Sequence, residues 1–375
     1  MNTKKLGFGL MRLPLQDMAD NTKVDYERFC QMADRYMAAG FNYFDTATPY
    51  HGGGHSEIAF RECVAKRFPR TSYTITDKLS FFIVQKREEL EGFFQAQLER
   101  CGVDYFDYYL LHAMNKERLT LAEQIHAFDF VRQKKAEGKI RHLGFSFHDT
   151  ADVLEEILTR HPEMEYVQLQ LNYVDWKDPE VQSGKCYKVC EKFAKPVIVM
   201  EPVKGGLLAS VPKEAEKLLK EANPDRSVAS WAIRYAASLE NVVMVLSGMS
   251  EETQLEDNLS YMQDFQALSE SEKQRIDRVA TIIKEKERIA CTACRYCVDG
   301  CPKKIAIPDY FKLINKISQF GELQTASAKT AYFHQVQNVG SGKASDCIEC
   351  GQCEKQCPQH LPIIKLLKDV TEILE

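Results

Sequence analysis

Residues 105–147, YFDYYLLHAMNKERLTLAEQIHAFDFVRQKKAEGKIRHLGFSF, contain one strand–helix–strand unit. The aromatic and aliphatic run at 105–111 predicts a strand, and a helical pattern follows at 120–137. Gly138 ends that pattern in the way a helix C-terminus often ends. A second β-rich run at 142–147 predicts the next strand. Strands that alternate with helices pair in parallel, so this stretch predicts an α/β protein.

The same alternation continues in both directions from this unit. Eight β-rich runs precede residue 270, at 6–12, 41–46, 72–77, 105–111, 142–147, 166–171, 196–201 and 242–247. Eight such units over about 260 residues predict a TIM (β/α)8 barrel, because an open doubly wound sheet usually has fewer strands. No G-x-G-x-x-G follows the first strand, so the Rossmann fingerprint is absent.

Composition narrows the class of protein. The chain has 375 residues, of which 44% are hydrophobic and 27% charged, as in an ordinary globular protein. Its apolar runs fall far short of the ~20 residues of a membrane span, and the N-terminus lacks a signal-peptide pattern. The net charge of -5 argues against a nucleic-acid partner. We therefore expect a cytoplasmic protein with no membrane span.

Cysteine spacing is the most specific signal in the chain. Eight of the 13 cysteines lie after residue 290 in two runs of the form C-x2-C-x2-C-x3-C-P. Bacterial two-cluster ferredoxins have this spacing, and the fourth cysteine of each run binds the other cluster. Zinc also takes four thiolates, but a zinc ribbon usually offers two separated C-x2-C pairs.

The spacing therefore predicts two [4Fe–4S] clusters with exchanged fourth ligands. One cluster uses Cys291, Cys294, Cys297 and Cys357, and the other uses Cys347, Cys350, Cys353 and Cys301. We expect a barrel domain at 1–270. Residues 271–375 then form a connector helix and a small, mainly α-helical, bacterial-ferredoxin-like domain.

The remaining five cysteines are scattered through the barrel region. An odd total and the lack of a secretory signal argue against disulfides and for a reducing compartment. We expect them to be single buried cysteines; they are Cys30, Cys63, Cys101, Cys186 and Cys190.

Four ionisable residues follow successive strands, at the end where barrel active sites lie. Asp45 and Tyr50 follow the second predicted strand, Lys78 follows the third and His112 follows the fourth. A surface lysine or a core histidine is the commoner explanation for any one of them. Together, at matching strand ends, they are predicted to meet at one mouth.

The segments FDTATPYHGGGHSE, TITDKL and YYLLHAMN closely resemble the aldo-keto reductases, and the resemblance spans roughly residues 6–265. It implies a barrel that binds NADP or NAD and a small carbonyl substrate. The family's catalytic tetrad falls on Asp45, Tyr50, Lys78 and His112. The C-terminal extension resembles that of a bacterial subgroup with ferredoxin-type clusters.

The roles that the resemblance implies are chemically reasonable. Tyr50 is the general acid/base, and Lys78 should lower its pKa because an ammonium favours the phenolate. Asp45 holds Lys78 in place, and His112 orients the substrate carbonyl by a hydrogen bond. Such proton-transfer groups typically contribute ~10²–10⁴-fold to the rate.

The resemblance also assigns cofactor contacts. Ser146 and Gln170 hold the nicotinamide carboxamide, and Met200 stands where an aromatic residue commonly stacks on the ring. In the last loop, SGMSEETQLEDN, Gly248 and Ser250 would approach the phosphate through backbone and hydroxyl, and Asp257 or Asn258 would meet the adenine. Gln254 of the same loop is also a predicted nucleotide contact.

This chain departs from the family pattern at several of these positions. Phe147 replaces a common Asn, and Met200 replaces the aromatic residue. Gly248 and Gln254 stand where NADPH-preferring relatives have Lys and Arg. Because phosphate recognition prefers those cations, the choice between NAD and NADP stays open.

The two halves of the chain leave three interpretations open, since a hydride carries two electrons and a [4Fe–4S] cluster takes one. In the first, the clusters exchange electrons with the barrel site, through a flavin or a ferredoxin partner. No flavin motif is visible, although barrels bind flavin phosphates near the last two strands. In the second, an ordinary NAD(P)H-dependent reductase carries structural or docking clusters. In the third, an iron–sulfur electron-transfer protein uses its barrel as a scaffold. The intact tetrad argues against the third.

Overall fold

A computed structural model describes residues 4–17, 20–291 and 293–375. Eight parallel strands close into a barrel in chain order, and β8 pairs with β1. The prediction of a (β/α)8 barrel is therefore confirmed. The strands are β1 Leu6–Gly9, β2 Tyr43–Asp45, β3 Thr74–Leu79, β4 Phe106–Met114, β5 Ile140–Phe147, β6 Tyr166–Gln170, β7 Val197–Met200 and β8 Val242–Gly248.

The α-helices follow the strands and continue beyond the barrel. Those up to β8 are α1 Tyr26–Ala38, α2 His55–Phe60, α3 Leu90–Cys101, α4 Lys116–Gln124, α5 Ala127–Ala136, α6 Ala151–Arg160, α7 Ser183–Lys192, α8 Lys213–Ala222 and α9 Val228–Ala237. Those after β8 are α10 Glu252–Met262, α11 Glu270–Glu285, α12 Tyr296–Asp299, α13 Ile307–Phe320, α14 Thr325–Gln337, α15 Gln352–Gln356 and α16 Ile363–Leu374. Among the described residues, no helix combines the length and apolar character that crossing a bilayer requires.

Two local features differ from the sequence-based expectation. Strand β4 continues to Met114, with a break in its register against β5 between Leu111 and Met114. The helical pattern at 120–137 is divided between α4 and α5, because His126 adopts a left-handed conformation with φ of 59°. That conformation interrupts the helical hydrogen bonds.

Aromatic side chains pack against the barrel strands, together with aliphatic ones. Tyr36 of α1 donates hydrogen bonds to the carbonyls of Leu6 and Tyr43, at 2.7 and 3.0 Å, which ties the helix to β1 and β2. Inside β5, Gly144 leaves room for the ring of Tyr166, because a Cβ there would lie 2.6 Å from that ring. This packing fixes the strands whose ends carry the polar residues.

The chain divides into two compact units. One is Met1–Gly206 with Ala229–Ser271 and contains the barrel strands, and the other is Leu207–Val228 with Glu272–Glu375. The segment with α8 follows β7 in sequence yet belongs to the second unit. Helices α13, α14 and α16 of that unit share an apolar core, which includes Tyr310, Phe311, Tyr332, Leu367 and Val370.

One pair of cysteines corrects the sequence analysis. Cys30 of α1 and Cys63, just after α2, form a disulfide with Cα atoms 4.6 Å apart. The expectation of single cysteines was wrong for these two. They are 33 residues apart in sequence, and only the packing of α1 against the turn at Arg61–Ala65 brings them together. Cys101, Cys186 and Cys190 are single buried cysteines, as expected.

Candidate active site and cysteine cavities

The loop after β2 carries Tyr50 over the mouth of the barrel. Gly52, Gly53 and Gly54 all have positive φ, from 74° to 100°, a conformation that side chains with a Cβ avoid. This turn leads directly into α2. The Tyr50 ring lies 5.0 Å from Nζ of Lys78 and 6.2 Å from the ring of His112, measured to its centroid. The strand ends thus bring the predicted groups together.

Asp45 and Lys78 form a buried ion pair beneath the tyrosine. Nζ of Lys78 donates to Oδ1 of Asp45 at 2.5 Å and to the carbonyl of Thr46 at 2.7 Å. Gln168 donates to the second oxygen of Asp45 at 3.2 Å. Burial works to lower the pKa of Lys78, but Asp45 and Tyr50 outweigh burial and raise it. Lys78 is therefore an ammonium throughout the neutral pH range.

A second buried polar layer supports Lys78 from behind. Gln97 of α3 donates to the carbonyl of Lys78 at 3.0 Å and accepts from the Tyr109 hydroxyl at 2.6 Å. Thr48 donates to Glu57 at 2.7 Å, and the side chain of Glu57 is fully buried. These bonds fix the backbone at the end of β3, which in turn fixes the lysine.

The pKa of Tyr50 shifts in the opposite direction to the one expected from the sequence. Burial raises the pKa of Tyr50, and the ammonium of Lys78 opposes that shift without overcoming it. The expected lowering by Lys78 is present as a contribution but does not decide the direction. Tyr50 is consequently a protonated phenol that is ready to donate.

His112 owes its direction to the irregularity in β4. Ala113 adopts a left-handed conformation with φ of 57°. Its N–H donates to the hydroxyl of Ser146 at 2.7 Å, and its carbonyl accepts from Arg118 at 2.6 Å. Bulges of this kind re-aim a neighbouring side chain. Here the bulge turns His112 toward Tyr50, and the Phe82 ring packs against it at 5.5 Å.

The imidazole of His112 is uncharged. Burial lowers the pKa of His112 well below its usual value, and Lys78, His148 and Arg118 lower it further. Its Nδ1 atom is buried and has no hydrogen-bond partner among the described residues. A neutral imidazole beside a phenol suits recognition of a carbonyl oxygen.

The predicted nicotinamide contacts lie around the same mouth. Ser146 ends β5, and Gln170 pairs with Met200 across β6 and β7. Asp175 accepts from Nε2 of Gln170 at 2.9 Å and forms an ion pair with Lys204. The amide of Gln170 is thereby held with its carbonyl oxygen available to another donor.

The last loop uses several of its predicted contacts internally. Gln254 caps α10 by accepting from the N–H groups of Ser250 and Glu251. The Ser250 hydroxyl donates to the carbonyl of Arg12 at 3.0 Å. The Ser250 hydroxyl, expected to approach a phosphate, therefore has a partner within the protein, and the phosphate contact of Gly248 and Ser250 stays a prediction.

Asn258, predicted to contact adenine, also has partners within the protein. It is buried, donates to Ser247 at 2.9 Å and accepts from Tyr261 at 2.5 Å. These bonds brace the loop, and the contact of Asn258 with adenine stays a prediction. Asp257, its neighbour on α10, is only partly buried.

A cation that the sequence analysis missed lies beside this loop. Arg12 follows β1 and is exposed, and its Cδ would lie 3.2 Å from a Cβ placed on Gly248. Its guanidinium lies near Gly205, where a Cβ would be 3.5 Å from Nη2 of Arg12 and 3.4 Å from Oε2 of Glu201. The two glycines therefore let the Arg12 side chain pack closely between β8 and the loop after β7. The basic residue in the run GLMRLP was the available signal, but only barrel closure places it opposite β8.

The eight predicted ligand cysteines line two cavities, and each cavity mixes the two runs. The walls of the first include Cys291, Cys294, Cys297 and Cys357. Those of the second include Cys301, Cys347, Cys350 and Cys353. These are the two sets that exchange of the fourth cysteine predicts, and soft thiolates in an apolar cavity fit an iron–sulfur cluster. Among the described residues, no three His, Cys, Asp or Glu side chains group closely enough to hold a single metal ion.

Comparison with known families agrees with both halves of the chain. Residues 5–281 match the aldo/keto reductase family. The chain belongs to the aldo/keto reductase family. It is therefore an oxidoreductase of that family, and residues 290–361 match a 4Fe-4S dicluster domain. The prediction of two iron–sulfur clusters, made in preference to zinc, is confirmed.

Two relatives of this aldo/keto reductase share about a quarter of the aligned residues with it. L-galactose dehydrogenase from Arabidopsis thaliana is 25% identical over 263 residues, which are 65% of this chain and 81% of that protein. The NADH-specific methylglyoxal reductase of Escherichia coli is 26% identical over 188 residues, or 45% of this chain and 54% of that one.

Among solved structures, an aldo-keto reductase from Klebsiella pneumoniae in complex with NADPH shares 19% identity, with a TM-score of 0.58. The match covers 74% of this chain and 90% of that one. At this identity the likeness shows the barrel fold.

Proposed function

We propose that this chain reduces a small carbonyl substrate with NAD(P)H and that Tyr50 donates the proton. The observation that carries the proposal is the convergence of a protonated Tyr50, a charged Lys78 and a neutral His112 at one barrel mouth. Hydride addition to a carbonyl leaves a negative oxygen, and these three groups are a proton donor and two stabilisers of that oxygen.

Each of these side chains has its own role in the proposed reduction. Tyr50 and His112 hydrogen-bond to the carbonyl oxygen and orient it. The nicotinamide, when bound, supplies the hydride. The phenol proton of Tyr50 passes to the oxygen of the new alcohol, and the Lys78 ammonium stabilises the phenolate that Tyr50 becomes. Asp45 keeps that ammonium in position, and solvent at the half-buried phenol restores its proton.

The residues present fit a nicotinamide nucleotide. The side-chain amide oxygen of Gln170 would accept a hydrogen bond from the nicotinamide carboxamide. The Ser146 hydroxyl would donate one to the same carboxamide. The exposed Arg12 beside β8 supplies a cation for a phosphate. The Klebsiella relative binds NADPH and the Escherichia coli relative is NADH-specific, so both nucleotides belong in the assay.

The clusters, when bound, transfer single electrons. We propose that they serve a redox partner of ferredoxin type, in addition to the reductase reaction. Adding NADPH to the anaerobic protein and recording an EPR spectrum tests coupling. A reduced-cluster signal supports electron exchange with the barrel site. A silent spectrum with intact carbonyl turnover indicates a reductase with attached clusters.

Tyr50→Phe tests the proposed reaction. We expect kcat for NAD(P)H-dependent carbonyl reduction to fall ~10²–10⁴-fold, because only the proton donor is removed. Nucleotide binding, measured by fluorescence titration, should stay at the wild-type level. Tyr105→Phe is the control, since Tyr105 stacks between Arg70 and Arg141, away from the tetrad. Wild-type turnover in Tyr50→Phe would refute the assigned role.

A further inference from the structure

Arg118 is a cation at the mouth that the proposed reduction does not use. It lies in the first turn of α4, just after β4, and is half-buried. Its guanidinium carbon stacks 4.2 Å from the centre of the Phe82 ring, which itself packs edge-on against His112 at 5.5 Å. The guanidinium is therefore separated from the carbonyl-binding groups by a single aromatic ring.

No carboxylate forms an ion pair with this guanidinium among the described residues; Glu117, its neighbour in α4, acts to raise the pKa of Arg118, but burial outweighs it and lowers that pKa. The Arg118 side chain donates one hydrogen bond, to the carbonyl of Ala113 at 2.6 Å. Lys116, its neighbour in the same turn, is by contrast paired with Glu156 at 2.6 Å. An arginine has five N–H donors in a planar fork, so Arg118 retains donors for a further acceptor.

The electrostatic surroundings favour an anion there. Lys78 and Arg118 are the cations that act on His112 and lower its pKa, and His148 adds to that shift. The carboxylate that acts on Arg118 itself is Glu117. Phe82 is 57% exposed and presents an apolar face between His112 and the guanidinium. A ligand that fits has a polar oxygen at one end, an apolar middle and a negative charge at the other end.

This position is distinct from the proposed nucleotide phosphate site. Arg118 follows β4, next to His112, whereas Arg12 follows β1 and lies beside Gly248 of β8. The two cations therefore serve different parts of the mouth, and the substrate side is the one that contains Arg118.

We propose that Arg118 binds a carboxylate of the substrate, so that the carbonyl compounds this enzyme prefers are oxo acids. The inference rests on the proposed reductase function and specifies its substrate class. The carboxylate is bound by the fork of the guanidinium, the carbon skeleton packs on Phe82, and the carbonyl reaches Tyr50 and His112. Charge-assisted, bidentate pairing of this kind is strong and directional.

A matched pair of aldehydes tests the inference on the anaerobically purified full chain. The probes are 4-carboxybenzaldehyde and its neutral methyl ester, methyl 4-formylbenzoate. We expect wild-type kcat/KM to favour the acid, and this preference should fall with added salt. In Arg118→Gln, kcat/KM for the acid should fall about 10- to 100-fold more than kcat/KM for the ester, mainly because KM for the acid rises. Arg118→Lys should lose less, because it keeps the charge.

The alternatives give different results. If Arg118 only supports the Ala113 carbonyl, Arg118→Gln lowers kcat for acid and ester alike, and the inference is overturned. Equal use of the two aldehydes by the wild type overturns it as well, while the reductase function stands. Arg132→Gln, which removes an exposed arginine paired with Asp129, is the control.

Loss of the proposed function is recognised separately. If the wild type reduces neither aldehyde, the reductase proposal fails. Calorimetric binding of the two aldehydes, which needs no turnover, then decides the inference by itself. Tighter binding of the acid that disappears in Arg118→Gln supports the anion site, and equal binding overturns it.

Discussion

The barrel site and the cysteine cavities both assemble residues from separate parts of the chain, but they are completed differently. At the barrel mouth, Asp45 and Lys78 satisfy one another, and Gln168 and Thr46 supply the remaining hydrogen bonds. In the C-terminal unit the cysteines face two cavities, and each of these has apolar side chains such as Ile307 in its wall. The polypeptide alone completes the first site, whereas the second needs its inorganic groups. The two units should therefore respond differently to loss of their cofactors.

Removal of iron should have the largest effect and should be confined to one unit. Metal-binding free energy is also folding free energy in small metal domains, on the order of 10 kcal/mol for structural zinc. We expect an iron chelator to abolish hydrogen-exchange protection of residues 291–375 while barrel peptides keep theirs. Protection that survives in the C-terminal unit after complete iron removal would show that its apolar core suffices.

Lys78→Met tests whether the barrel site is complete without a cofactor. Removing one partner of a buried ion pair leaves an uncompensated charge on Asp45, at a cost of about 3–5 kcal/mol. We expect that loss in the free energy of barrel unfolding, measured by urea titration. The double variant Asp45→Asn/Lys78→Met should recover much of it. Lys116→Met, which breaks an exposed pair with Glu156, should change stability by at most about 1 kcal/mol.

The exchange of fourth ligands is tested by pairs of alanine substitutions. Cys357 and Cys294 line the same cavity, so the variant that lacks both should lose one cluster and keep about four of about eight irons. The variant that lacks Cys357 and Cys350 should lose both clusters. Iron and sulfide assays after anaerobic purification distinguish these outcomes. The reverse result would mean that each run binds its own cluster.

The elements that could be predicted from sequence are those with regular periodicity. All eight strands were found because each is an apolar or aromatic run between helical patterns, and barrel closure then followed from their number. The cysteine cavities were predictable for a similar reason, because ligand spacing along the chain is itself the signal. Even the mixing of the two runs followed from that spacing.

The features that escaped prediction depend on single backbone conformations or on contacts between distant elements. The bulge at Ala113 extends β4 past its apolar run, and no periodic signal marks it. Arg12 and Arg118 looked like ordinary surface cations, because their position at the mouth depends on barrel closure and on the start of α4. Cys30 and Cys63 meet only through helix packing.

Protonation of His112 should have the smallest effect of the four, a pH dependence of stability in the barrel unit. Burial and neighbouring cations lower the pKa of folded His112 well below the ordinary value, which the unfolded chain retains at about 6.5. Below pH 6.5 the unfolded barrel therefore binds more protons than the folded one. Barrel stability should accordingly be complete above that pH and should fall as the pH drops toward the folded pKa.

Urea titrations of the barrel transition between about pH 5 and 8 measure this slope. His112→Gln should reduce it, but His51 and His148, whose pKa values burial also lowers, should leave part of it in place. A slope unchanged in His112→Gln would mean that the folded and the unfolded chain protonate His112 alike. In that case burial would not lower the pKa of His112, and the imidazole would not be held neutral by the folded barrel.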